Sequence, residues 1–204
     1  MYTDLTAAAL QLQNASASTL PPDAGEILLP LARAAIAVQL GDALPARDDA
    51  AWLRATGACF VTLMKNQELR GCIGTLEAHR ALVEDVKANA VAAAFRDPRF
   101  RPLERPEFDS IRVEVSVLSA VESMTFRDEA DALAQLRPDV DGVIFEYGHH
   151  RSTFLPQVWE DFRDPRTFLG HLKYKAGLPP DFWHAAVKLS RYTVHKWKEA
   201  ARDR

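Results

Sequence analysis

The sequence predicts an α+β fold in which most strands pair antiparallel. Two pairs of segments rich in strand-forming residues are each joined by a tight turn, and the helical segments do not alternate with strands as regular βαβ units. The length of 204 residues fits one large domain or two small subdomains. With 48% hydrophobic and 26% charged residues, the chain has an ordinary globular composition, which excludes bulk disorder.

The beginning of the chain is predicted to be an appendage. Residues 1–13 carry a short helical pattern, and residues 14–25 are small, polar and interrupted by proline, as in a linker. We therefore divide the chain into an N-terminal appendage and linker, residues 1–20, and a main domain, residues 21–204.

The helices of the main domain are predicted from their ends. Asp23 and Glu26 have capping-box spacing and predict a helix that runs to about residue 40, where Gly41 would end it. Residues 81–95 form an alanine-rich helical pattern that stops before Asp97-Pro98. Two further helices are predicted at residues 127–136 and from Asp164, a good N-cap, to Gly177.

The strands are predicted from runs of β-branched and aromatic residues bounded by turn residues. The first two strands, residues 58–64 and 69–76, form a hairpin that turns at Asn66-Gln67-Glu68. A strand at residues 110–121 follows, and then a second hairpin within residues 140–155 that turns near Gly148-His149. One final strand is predicted at residues 189–197.

Charge and composition narrow the classes of function. The net charge of −3 gives no global basic field of the kind that nucleic-acid binding needs, although it leaves a local basic patch open. The two cysteines, Cys59 and Cys72, do not make a disulfide framework, and no zinc-ligand spacing is present, so we expect no metal site and no cofactor. Without a secretory signal or a membrane-spanning apolar run, the chain is predicted to be cytoplasmic.

The segment Leu69-Arg70-Gly71-Cys72-Ile73-Gly74 carries the most chemical information. If it is extended, Arg70 and Cys72 lie on one face and their neighbours on the other. Glycines beside the cysteine would let a ligand or another backbone approach the sulfur, and a neighbouring guanidinium favours the thiolate. The alternative is that Cys72 is a buried small hydrophobe, as free cysteines usually are.

The same hexapeptide, LRGCIG, resembles the hallmark of the AMMECR-domain family, whose bacterial members are called AmmeMemoRadiSam system protein A. Further segments resemble family blocks in the family's order: NAVAAAFRDPRFRPL, VEVSVLS, DGVIFE, STFLPQVWED and FLGHLKYKAGL. The resemblance implies an α+β fold with two subdomains and a cleft between them. It also implies partners, a Memo-type protein and a radical SAM enzyme, but no established activity.

Matching the family blocks residue by residue gives a set of candidate site residues. The candidates are Arg70, Gly71, Cys72 and Gly74 in the hallmark, Asn89 and Arg99 in the NAVAAAFRDPRF block, Glu114 and Ser116 in the EVSVL block, and Lys175 in the KAGL block.

Several of these residues have a structural alternative. Asn89 lies on an apolar helix face, where a buried amide often satisfies backbone groups. Glu114 and Ser116 share a strand face with Arg112, which is either a solvated face with a charge pair or one wall of the cleft. Lys175 falls in the last turn of its helix, where a cation suits the helix dipole.

Three hypotheses follow for the function. The chain could be an enzyme in which Cys72 is the nucleophile or thiol acid/base, Arg70 stabilises the thiolate and Glu114 or Lys175 moves protons. It could be a binding module in which Arg70 and Arg99 hold anionic groups of a ligand and Gly71 and Gly74 permit close backbone contact. It could also be purely structural, with the hallmark strand as a tight packing joint. We favour the binding module.

Overall fold

The computed structural model describes residues 20–200, which form two compact units. The first unit contains residues 20–118 and 195–200, and the second contains residues 119–194. The predicted appendage, residues 1–20, lies outside the described residues except for Leu20, so its boundary stays a prediction. No helix within residues 20–200 is both long and apolar enough to cross a membrane.

The first unit packs two helices against one face of a four-stranded sheet. The helices are α1 (Gly25–Gln39) and α2 (Leu82–Phe95). The sheet contains β2 (Cys59–Lys65), β3 (Glu68–Gly74), β5 (Ile111–Leu118) and β10 (Val194–Lys198) in the order β10-β5-β2-β3. A two-stranded sheet of β1 (Thr56–Gly57) and β4 (Arg80–Ala81) precedes α2.

Alternation along the strands decides which side chains enter the core of the first unit. Val61 and Leu63 in β2 and Val113 and Val115 in β5 are fully buried and pack with residues of both helices. The intervening residues therefore lie on the opposite face of the sheet. We call this opposite face the polar face; its members are Phe60, Thr62, Met64, Cys72, Arg112, Glu114, Ser116, Lys196 and Lys198.

The second unit has its own sheet and its own core. Its strands are β6 (Glu122–Ser123), β7 (Gly142–Tyr147), β8 (His150–Phe154) and β9 (Lys188–Tyr192), in the order β6-β9-β7-β8. Its helices are α3 (Glu129–Gln135) and α4 (Pro165–Lys175). The core gathers around Trp159 and Phe168, whose rings stack with centroids 3.7 Å apart.

These elements confirm the predicted α+β class with antiparallel sheets, because the pairs β2–β3, β2–β5, β6–β9, β7–β8 and β7–β9 are all antiparallel. Both predicted hairpin turns are present. Asn66 and Gln67 have positive φ in the first turn, and Gly148 has φ +57° in the second. Asp164 caps α4 by accepting a hydrogen bond from the Thr167 N–H at 2.8 Å.

Two local predictions were wrong. Helix α1 begins after Ala24, and no side chain caps it, so the capping box of Asp23 and Glu26 does not form. The single strand predicted at residues 189–197 is two strands, β9 and β10, separated at Thr193. They belong to different sheets because each strand pairs with a different neighbour, which the alternation of a single sequence does not reveal.

Candidate functional site

A β-bulge separates Arg70 from Cys72. Leu63 pairs with Gly71 and Met64 pairs with Leu69, so Arg70 is the extra residue of β3 and has no partner in β2. A bulge of this kind interrupts the alternation of faces. The prediction that Arg70 and Cys72 share one face of a regular strand was therefore wrong.

Arg70 instead belongs to an ion-pair cluster with Glu107. Its Nε and Nη2 donate to the two carboxylate oxygens of Glu107 at 3.1 and 2.9 Å, and Nη2 also donates to the carbonyl of Arg101 at 2.9 Å. Lys65 Nζ reaches the same carboxylate at 2.7 Å. The guanidinium and the ammonium together lower the pKa of Glu107 from 4.5 to about 2.

The guanidinium that contacts Cys72 is that of Arg99. The Cys72 N–H donates to Asp97 Oδ2 at 2.8 Å, and its carbonyl accepts from Arg99 Nη2 at 3.2 Å. Asp97 holds Arg99 through two further hydrogen bonds, and these bonds are the main reason that the pKa of the buried Asp97 carboxyl lies well below its usual range. The segment after α2 thus covers the outer edge of β3 at Cys72.

The Cys72 side chain lies next to Thr62. The backbone groups of Cys72 point away from β2, which makes Thr62 and Cys72 a non-hydrogen-bonded cross-strand pair with close side chains. Thr62 Oγ1 lies 3.3 Å from Cys72 Sγ and donates a hydrogen bond to it. Cys72 is half-buried, whereas Cys59 is fully buried. Burial, followed by the nearby Asp85 carboxylate, raises the pKa of the Cys59 thiol.

Three cations converge on Glu114, which pairs with Thr62 across the sheet. Its carboxylate is 2.9 Å from Lys196 Nζ, 3.4 Å from Arg112 Nη2 and 3.9 Å from Lys198 Nζ. The Glu114 side chain is only 4% exposed, while those of the two lysines are 42% and 53% exposed. One carboxylate thus neutralises one of three positive charges, and this part of the polar face carries a surplus of two.

Two buried nitrogens within residues 20–200 have no hydrogen-bond partner: Arg70 Nη1 and Arg112 Nε. A buried N–H normally has a partner because leaving it unpaired costs roughly 1–3 kcal/mol. Arg112 is on the polar face beside Glu114, so one of these unsatisfied donors lies where the positive charge is concentrated.

The hallmark glycines have a packing role. A Cβ on Gly71 would lie 2.2 Å from the carbonyl oxygen of Ala93, and a Cβ on Gly74 would lie 2.2 Å from the Phe60 ring. The absence of side chains lets α2 approach β3 and lets Phe60 lie over the sheet. The ligand contacts predicted for these glycines stay predictions.

Asn89 lies on the helix-facing side of the sheet. Its Nδ2 is within 3.0–3.1 Å of the Cys59 carbonyl, Thr75 Oγ1 and Asp85 Oδ2. Asp85, also buried, accepts from the Cys59 N–H and from Arg80. This network joins α2 to β2, which is the structural alternative that the sequence left open for Asn89.

Ser116 and Lys175 complete the predicted set. Ser116 lies on the polar face, where it pairs with Phe60. Lys175 belongs to the second unit; its Nζ donates to the Thr153 carbonyl at 2.9 Å and lies 5.0 Å from the Phe154 ring centroid. Within residues 20–200, no three His, Cys, Asp or Glu side chains are grouped so that they could hold a metal ion.

Sequence reasoning missed Lys196 and Lys198. These lysines flank Trp197, whose ring contacts the position of Gly25 at the start of α1. The alternation of lysine, tryptophan and lysine was visible in the sequence and places the two lysines on one face. What was not visible is that the strand lies next to β5 and brings that face to Glu114.

Fold and site together define a two-unit α+β protein with a positively charged polar face. The sequence profile of the AMMECR1 family matches residues 29–197. Protein MJ0810 of Methanocaldococcus jannaschii is 42% identical over 145 residues, covering 69% of this chain and 72% of that protein. A protein of Thermofilum pendens is 38% identical over 195 residues, covering 88% and 92%.

A solved structure gives the same result. The crystal structure of the uncharacterized protein PH0010 from Pyrococcus horikoshii superimposes with a TM-score of 0.73 and is 36% identical, covering 86% of this chain and 91% of that one. The chain belongs to the AMMECR1 family, and the family resemblance inferred from the hallmark segment is thereby confirmed.

Proposed function

We propose that the chain is a binding module whose polar face holds an anionic group of a small ligand or substrate. The observation that carries this proposal is the convergence of Arg112, Lys196 and Lys198 on the single carboxylate of Glu114. The surplus positive charge attracts an anion, and the unpartnered Arg112 Nε supplies a donor to it. Arg99, which is 53% exposed beside Cys72, is a further cation at the edge of this face.

The test uses inorganic pyrophosphate as the probe, titrated by calorimetry at low salt. We expect saturable binding that weakens about tenfold or more in the double variant Lys196→Gln/Lys198→Gln, since a lost contact of about 1.4 kcal/mol corresponds to a factor of ten. The double variant Lys87→Gln/Lys188→Gln removes the same charge from other surfaces and should leave the affinity within about twofold. Equal weakening in both double variants, or no saturable binding, would contradict the proposal.

A second candidate function is catalysis at Cys72. It is favoured by one observation, the hydrogen bond from Thr62 to the sulfur of the half-buried Cys72, with Glu114, which lies beyond Thr62 on β5, as a proton acceptor. An enzyme of this kind would carry an activated sulfur, and Arg99, whose Nη2 donates to the Cys72 carbonyl, would stabilise the thiolate in place of Arg70.

Alkylation by iodoacetamide at pH 7 separates the two functions. A catalytic Cys72 should react at least about tenfold faster than N-acetylcysteine, and Arg99→Gln should slow it while the exposed Arg105→Gln does not. The binding module requires neither effect, and its pyrophosphate affinity should survive Cys72→Ser. Buried Cys59 serves as the internal unreactive thiol.

We further propose that the module acts in the cytoplasm with a Memo-type protein and a radical SAM enzyme, presenting the bound ligand to them. The family resemblance supports this extension. Mixing the purified proteins and measuring complex formation by size-exclusion chromatography, with and without the anionic probe, tests it; three independent elution peaks in both conditions would argue against it.

A further inference from the structure

The second unit contains a groove of about 560 Å³ that is lined by residues of this unit. Helix α4 forms its floor, and the start of α3 and the loop after α4 form its sides. Its lining includes Glu129, Arg166, Gly170, Tyr174, Pro180 and Asp181. This volume lies within the range of small-molecule sites.

Gly170 forms a notch in the middle of α4. A glycine inside a helix is less stabilising than an alanine. Packing does not demand it here, because a Cβ would lie 3.4 Å from Pro180 Cβ, an ordinary contact. This distinguishes Gly170 from Gly71, whose Cβ would collide with backbone. The notch lies between the larger side chains of Arg166 and Tyr174, one helical turn away on either side.

Opposite charges line this groove without pairing to each other. Arg166 and Asp181 both border the groove, and within residues 20–200 no hydrogen bond or ion pair joins their side chains to each other. The carboxylate that interacts electrostatically with Arg166 is that of Asp164, the N-cap of α4. The Tyr174 side chain is 70% exposed and presents an aromatic surface at one end. A ligand that carries a cation and an anion on an apolar body would satisfy all three groups.

Glu129, the third charged residue that lines the groove, is held by a buried lysine. Lys173 is only 1% exposed, and its Nζ lies 2.6 Å from Glu129 Oε1 and 2.9 Å from the Phe182 carbonyl. The buried ammonium of Lys173 needs a carboxylate partner, because an unpaired buried charge is costly. This ion pair therefore holds the Glu129 carboxylate in one position at the rim of the groove. The groove thus has one carboxylate that is held by the core and a second, Asp181, on the loop.

We propose that this groove is a second binding site, which takes a small zwitterion carrying an ammonium and a carboxylate on an apolar or aromatic body. Glu129 and Asp181 face the ammonium, Arg166 binds the carboxylate, and the body lies over Gly170 against Tyr174. The site does not depend on the anion-binding role of the polar face.

Three matched probes test the charge pattern by calorimetry on the full chain. They are L-phenylalanine with both charges, phenethylamine with the ammonium alone, and 3-phenylpropionate with the carboxylate alone. We expect L-phenylalanine to bind saturably and at least tenfold more tightly than either single-charge probe. Arg166→Gln should weaken the binding of L-phenylalanine and 3-phenylpropionate but leave the binding of phenethylamine unchanged. Asp181→Asn should weaken the binding of phenethylamine but leave the binding of 3-phenylpropionate unchanged.

Arg163→Gln is the control, because Arg163 is exposed, precedes α4 by two residues and does not border the groove. Gly170→Leu should abolish L-phenylalanine binding by filling the notch. If that variant does not fold, the comparison of Arg166→Gln with Arg163→Gln still tests the proposal. The proposal is overturned if L-phenylalanine binds no better than the single-charge probes, or if Arg163→Gln and Arg166→Gln behave alike.

Discussion

The charged residues near the hallmark segment are fixed by ion pairs with carboxylates. Arg70 is committed to Glu107, Arg99 to Asp97, and three cations to Glu114. In each case a carboxylate that is partly or fully shielded from water fixes a cation. The cations on the polar face outnumber their carboxylate, and this imbalance is the basis of the proposed anion site.

The Arg70–Glu107 ion pair makes a pH-dependent contribution to stability. The pKa of Glu107 falls from 4.5 to about 2 in the folded chain, so the ionised carboxylate stabilises the fold above about pH 4.5, and this contribution is lost as the pH falls toward 2. We expect Glu107→Gln to lower the free energy of unfolding by about 1–2 kcal/mol at pH 7, with the loss shrinking toward pH 3.

Urea unfolding at pH 7, 5 and 3 measures this effect. Glu104→Gln is the matched control, because Glu104 is exposed on the same segment and its side chain makes no ion pair within residues 20–200. A difference between wild type and Glu107→Gln that stays constant from pH 7 to pH 3 would contradict the assignment.

At the scale of elements, the first unit depends on the close approach of α2 to β3. An alanine-rich helix and a strand glycine allow this contact: the carbonyl of Ala93 occupies the space that a side chain on Gly71 would need. The bulge at Arg70 lies directly before this contact and turns the arginine toward Glu107 instead of Cys72. The hallmark is therefore a packing joint as well as the border of a candidate site.

We expect Gly71→Ala to destabilise the chain by about 3 kcal/mol, because a backbone carbonyl cannot move aside without displacing the helix. Gly170→Ala makes the same chemical change where a Cβ meets only an ordinary contact, and it should leave the urea midpoint unchanged or raise it. If Gly71→Ala unfolded at the wild-type midpoint, the close packing of α2 on β3 would be disproved.

For the whole molecule, the first unit is built from two separate stretches of chain. Residues 195–200 follow the second unit in sequence but belong to the first unit. Glu199 attaches this returning segment to α1 and β5. Both Glu199 oxygens accept from Arg33 of α1, and one also accepts from the Val113 N–H of β5. The Arg33 side chain is only 7% exposed, so the Glu199 carboxylate neutralises its charge in place of water. The carbonyls of Phe108 and Ile111 accept further hydrogen bonds from its guanidinium.

Glu199→Gln should therefore cost about 3 kcal/mol of unfolding free energy, because it leaves a buried guanidinium against an amide N–H₂. The comparison variant is Glu122→Gln, which breaks the exposed pair with Arg191 and should cost about 0.5 kcal/mol or less. Thermal and urea unfolding of both variants at pH 7 make the comparison. Equal small losses would mean that the returning strand is not held through Arg33.

The sequence by itself determined the fold class, the family and most of the elements. Alternation, apolar periodicity and capping residues act over a few neighbouring positions, so the hairpin turns at Asn66 and Gly148 and the cap at Asp164 could be predicted from local chemistry. The structural alternative for Asn89 could be anticipated for the same reason, because an amide on an apolar helix face needs buried partners.

Only the tertiary structure decided which charged groups meet. The bulge that separates Arg70 from Cys72 depends on register between two strands, and the position of Lys196 beside Glu114 depends on strand order. The same holds for the groove beside Gly170, whose walls come from three separate segments. Contacts between residues distant in sequence are set by the packing of whole elements, and a local pattern does not encode them.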